Sequence, residues 1–76
     1  MNIEQTIVNA LRERYCAQIK ESRAVIKIFL ERPAGIGDHG NILGVIDEEI
    51  AKAAEASDKL KALDDYIRNE GKGDTK

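Results

Sequence analysis

Apolar residues recur along two long segments of this chain at alternating intervals of three and four. In the first segment Val8, Leu11, Tyr15, Ile19, Ser22, Ile26 and Phe29 follow at steps of 3, 4, 4, 3, 4 and 3, with Ser22 as a small polar member. An α-helix turns once every 3.6 residues, so this spacing holds the side chains on one stripe. No Pro or Gly falls between Ile3 and Glu31, and Asn2 with Gln5 three residues later resembles a capping box. A helix is predicted over residues 3–31, roughly 40 Å long at about 1.5 Å per residue. Ile7, Val25 and Leu30 widen the stripe, and Gln18 interrupts one edge of it. A face wider than a strict seam argues for burial against more than one partner helix. The run Ala24–Phe29, AVIKIF, is β-branched enough for a strand. It has no turn signal before it, however, and it continues the helical register.

In the second segment Ile46, Ile50, Ala53, Ser57, Leu60, Leu63 and Ile67 run at steps of 4, 3, 4, 3, 3 and 4, with Ala56 as an alternative to Ser57. A second helix is predicted over about residues 41–69. Gly44 lies in its first turn or two, where glycine costs roughly 1 kcal/mol relative to alanine, so a backbone or packing reason is expected. After Asn69 the chain reads EGKGDTK, with no apolar residue, and a frayed tail over 70–76 is expected.

The stretch Arg32–Asn41, RPAGIGDHGN, joins the two. Pro33 pushes the residue before it out of the α region and ends the first helix. Gly35 and Gly37 permit positive φ. Asp38 or His39 is expected to cap the second helix. A loop over 32–40 this short makes the helices antiparallel neighbours. The fold class is therefore all-α: an antiparallel two-helix hairpin with heptad-like seams. Folding back at the loop centre sets Ser22 near Ala51, Ile19 near Ala54, Cys16 near Ser57 and Gln18 level with Glu55. Small residues (Ala51, Ala53, Ala54, Ala56, Ser57) then occupy mid-hairpin, and large ones collect at the two ends.

Composition adds a constraint. The chain has 76 residues, one Cys and one His. It is one domain at most, with no intramolecular disulfide and too few ligands for a structural zinc site. Small domains lacking such supports lean on oligomerisation. A hairpin buries one face of each helix, so homo-oligomerisation into a multi-helix bundle is expected. Residues 1–32 carry six Lys/Arg against four Glu, and residues 33–69 carry four Lys/Arg against eight Asp/Glu. This opposition favours antiparallel pairing and sets register more than stability. A net charge of −2 with 4% aromatics argues against a general nucleic-acid binder. There is no apolar run long enough to span a membrane and no signal-peptide pattern at the start. A cytosolic location is expected, and no cofactor.

The loop holds the sharpest candidate chemistry. Gly-rich backbone leading into a helix N-terminus can hold an anion, with His39 and Asn41 adding side-chain hydrogen bonds. Lys20, Arg23 and Lys27 fall on one helical stripe with Arg12 roughly in line, and such a stripe can meet phosphates. The tentative ligand-binding set is Arg23, Lys27, Arg32, Gly35, Gly37, His39 and Asn41. Against it, a turn that stops one helix and starts another needs these same residue types, and Asp38 repels anions. The basic stripe can equally pair with Glu48, Glu49 and Glu55. Cys16 lies half a helix from His39, which argues for a core or rim thiol. No nucleophile, base and oxyanion set is discernible, so no enzyme is expected.

The proline, Gly-Ile-Gly, acidic residue and His of the loop precede a helix reading IDEEIAKAAEASDKL. Together these resemble small uncharacterised proteins of large tailed bacteriophages, over Ile26 to Tyr66. The family pattern has proline where this chain has Gly40, which would set His39 at the N-cap. The resemblance implies a phage-encoded helical hairpin in the host cytosol and brings no catalytic residues. The hairpin is also similar, in size and architecture alone, to oligomeric phage sponge proteins that sequester cyclic nucleotide signals of host defence. Two functions are expected from this. One is a non-enzymatic interaction module engaging a host or phage protein. The alternative is an anti-defence sponge for a small anionic nucleotide.

Overall fold

The computed structural model describes residues 2–31 and 41–72. It contains two helices, α1 over Ile3–Glu31 and α2 over Ile42–Lys72, packed against each other as a helical hairpin. Arg12 meets Asp64, and Lys59 lies over the Tyr15 ring, which fixes the antiparallel sense. The roles expected of Pro33, Gly35, Gly37, Asp38 and His39 lie outside the described residues.

Local chemistry sets both helix starts. Asn2 Oδ1 accepts a hydrogen bond from the Gln5 backbone N–H at 2.7 Å, satisfying a donor that has no partner within the helix. The other half of a capping box is not made among the described residues. Instead Thr6 donates from both its N–H and its hydroxyl to the Asn2 carbonyl, each at 3.1 Å. Asn41 stands directly before α2. Its side chain folds back over Gly44, three residues on. A Cβ at Gly44 would collide with the Asn41 side-chain oxygen and lie 3.0 Å from its Cγ, which is the local reason for glycine there. The run Ala24–Phe29 is helical throughout. α2 continues to Lys72, past Asn69 where fraying was expected.

The seams differ instructively from the spacing read in sequence. The half-buried or buried residues are Val8, Leu11, Arg12, Tyr15, Cys16, Gln18, Ile19, Ser22, Val25, Ile26 and Phe29 on α1, and Ile42, Val45, Ile46, Glu49, Ala53, Ala56, Leu60, Leu63, Asp64 and Ile67 on α2. Both sets recur every three to four residues and are wider than a single seam. Every α1 residue of the expected seam is among them, and the α2 seam departs from the expected one at two positions. Ala56 is thus the inward residue, and Ser57 and Ile50 are exposed. Gln18, expected to break an edge, is half-buried and donates from Nε2 to Ser22 Oγ at 3.0 Å. The register is close to the expected one. Gln18 and Glu55 border one depression as anticipated, while Tyr15 meets Lys59, one residue beyond its expected level.

Among the described residues only Ser22 (0% exposed) and Ala56 (4%) are buried, and no large apolar side chain is. The Cα envelope measures 14 Å along its shortest axis, the thickness of a single layer of helices. Domains ordinarily close a core between two layers. This chain supplies one.

Candidate functional site

The expected ligand set is only partly visible. Arg32, Gly35, Gly37 and His39 lie outside the described residues. Arg23 and Lys27 are exposed one turn apart on α1. Lys27 Nζ lies 4.0 Å from Glu31 Oε2 on its own helix. The Asn41 side chain lies over Gly44 at the start of α2. No hydrogen bond or ion pair joins Arg23, Lys27 and Asn41 to one another among the described residues. Within one chain, the described part of the set forms no converged anion site.

Pairing of the basic stripe with facing carboxylates is also mostly not made. Glu49 pairs with Lys52 at 3.3 Å and Glu55 with Lys59 at 3.7 Å, both along α2. Arg68 pairs with Asp65 at 2.9 Å on the same helix. Neighbours at i, i+3 or i, i+4 lie within easy reach of flexible side chains, so these local pairs win. Among the described residues the cross-helix ion pair is Arg12 with Asp64 at 2.5 Å, its side chains 42% and 46% exposed. It fixes register near the open end of the hairpin.

A small polar depression of about 140 Å³ lies on one broad side, walled by Arg14, Tyr15, Gln18, Lys52, Glu55 and Lys59. Lys59 Nζ stands 5.7 Å from the Tyr15 ring centroid, a cation–π contact. Glu49 and Glu55 neutralise two of its cations, so it has little net attraction for an anion. Cys16 is a free, half-buried thiol. Among the described residues no group of three or more His, Cys, Asp or Glu is placed to hold a metal ion. No described helix is long and apolar enough to cross a membrane.

The exposed apolar surface is the larger feature. At the open end Ile3, Ile7, Leu11, Leu63, Tyr66 and Ile67 line a trough of about 650 Å³. Ile3 is 77% exposed and Tyr66 63%. Toward the loop end Leu30, Leu43 and Ile50 are 66%, 84% and 52% exposed. Sequence reasoning placed large residues at both ends but took them as filling the hairpin. It did not pick out Ile3 or Tyr66, although the i, i+4 pair Ile3–Ile7 was a usable signal. Surfaces of this kind bind other apolar surfaces, and their chemistry is association.

Comparison with known proteins gives no match to a family model, to a curated protein or to a solved structure.

Proposed function

We propose that this chain is a non-enzymatic, self-associating helical-hairpin module that acts through the surfaces its assembly leaves open. One observation carries the reading: a hairpin one helix thick buries no large apolar side chain among its described residues, and it exposes seven. Fully burying one Leu or Ile side chain contributes about 1.5–3 kcal/mol. Conformational entropy costs on the order of 1–2 kcal/mol for each ordered backbone residue. A chain with these exposures gains burial by packing on another copy. The loop's likeness to phage proteins supports a host or phage protein as the further partner of the assembled module.

Sedimentation equilibrium tests the self-association. A concentration-dependent mass above the 8.4 kDa of one chain, with helicity rising in parallel, supports it. A stably helical monomer at micromolar concentration refutes it.

A further inference from the structure

The two broad sides of the hairpin are chemically unequal. Arg12 and Asp64 meet on one of them. Steps of four and three from Arg12, close to parallel with the helix axis, reach Cys16, Ile19, Arg23, Ile26 and Leu30. On α2 the exposed residues Ser57, Ile50 and Leu43, spaced seven apart, flank the inward residues on the same side. This side is therefore largely apolar from Cys16 and Ser57 to the loop end. The opposite side carries Arg14, Gln18, Lys52, Glu55 and Lys59 along its middle. Each helix thus carries apolar residues beside those that face its partner within the hairpin, as in a helix with neighbours on two sides.

A second copy of the chain fits this apolar side on two counts. The first is area. Leu30, Leu43 and Ile50 on this side are 66%, 84% and 52% exposed, large apolar area of the kind that the core of a standard interface covers. The second is charge. Lys20, Arg23 and Lys27 border the apolar side along α1, and Asp47 borders it along α2 near the same end. Lys20, Arg23 and Asp47 have no ion-pair partner among the described residues. Stacking α1 on the partner's α1 sets the loops at opposite ends and leaves Arg23 and Lys27 far from the partner's Asp47. Stacking α1 on the partner's α2, with both loops at one end, brings Arg23 and Lys27 toward Asp47 and sets Leu30 level with Leu43.

We infer that two copies pack apolar side to apolar side about a two-fold axis parallel to the helices, with α1 of each lying antiparallel on α2 of the other. The inference rests on the self-association proposed above. It makes the dimer a four-helix bundle with both loops at one end. The polar sides and the open-end troughs then face outward for other partners.

The test uses the full-length chain in Cys16→Ala background. One version carries Leu30→Cys and a tag that changes its mass, and the other carries Leu43→Cys. They are unfolded together, refolded and oxidised with glutathione. The inferred arrangement gives a mixed disulfide dimer in excess over either homodimer. An α1-on-α1 arrangement sets these positions at opposite ends of a bundle about 40 Å long and gives no mixed dimer. Charge exchange supplies an independent readout. Each contact occurs twice in a two-fold dimer, so Arg23→Asp or Asp47→Arg alone should weaken dimerisation by about tenfold. Combining them should restore it. A wild-type chain that sediments as a monomer overturns the self-association reading and this inference with it. A wild-type dimer with neither mixed disulfide nor charge rescue overturns the arrangement alone.

Discussion

Ala56→Leu probes the buried seam between the two helices. Ala56 is 4% exposed, and Ser22, the other buried residue, lies on the facing seam and is fully enclosed. A leucine at 56 has to displace α1 or adopt a strained rotamer, and overpacking of this kind costs about 1–3 kcal/mol. Stability for a chain of this size is on the order of 4–11 kcal/mol, so the loss is a large fraction of the total. Each kcal/mol moves the midpoint by roughly 4–8 °C in a domain of 60–100 residues, so a fall of about 4–24 °C is expected. The control is Ala51→Leu, the same chemical change five residues earlier, at an exposed position of α2. It should change stability by no more than about 0.5 kcal/mol. The assay is thermal unfolding followed by far-ultraviolet circular dichroism, with all chains at one concentration because association shifts the midpoint. Equal losses from the two variants, or a gain from Ala56→Leu, would refute the seam described here. A larger loss from Ala51→Leu would restore the register in which Ser22 faces Ala51.

Three further outcomes are expected. Ser22→Ala removes the hydroxyl that accepts the Gln18 amide and should cost about 0.5–1.5 kcal/mol, whereas Ser22→Ala with Gln18→Leu should be close to neutral; urea titration separates the two. Gly44→Ala should fail to yield the gain of about 1 kcal/mol normal for a helix interior, because the new Cβ meets the Asn41 side chain, and that gain should reappear in an Asn41→Ala background. A double-mutant cycle on Arg12 and Asp64 should return about 0.5–1 kcal/mol of coupling, discounted for side chains nearly half exposed, and should shrink in 1 M salt.

The helical hairpin was legible in the sequence because two signals agreed. Three-four periodicity ran through both segments, and one Pro–Gly stretch separated them. The stripe facing inward was harder to read, since Ala56 and Ser57 are both small and either continues an apolar run. Burial settles it for Ala56. Gln18 misleads for another reason: its polarity marks it as an edge, yet Ser22 offers a hydroxyl one turn away and lets it sit inward. The ion pairs were the least legible. Opposed charge on two segments suggests pairing across the hairpin, but neighbours on one helix are nearer, and Lys27, Lys52 and Lys59 all pair locally. Of the candidate ligand residues, Asn41 lies over Gly44, a contact that accounts for the packing reason expected of that glycine. Arg23 and Lys27 acquire a role only if another chain brings charge to them, and a single sequence carries no sign of where a second copy sits.

The central claim is that this hairpin completes its core with another copy of itself. Sedimentation equilibrium of the wild-type chain from the nanomolar to the hundred-micromolar range, paired with circular dichroism at each concentration, tests it most directly. The account predicts a limiting mass twice that of the 8.4 kDa chain, with helicity falling as the dimer dissociates. A mass of one chain throughout, with helicity unchanged, would contradict it.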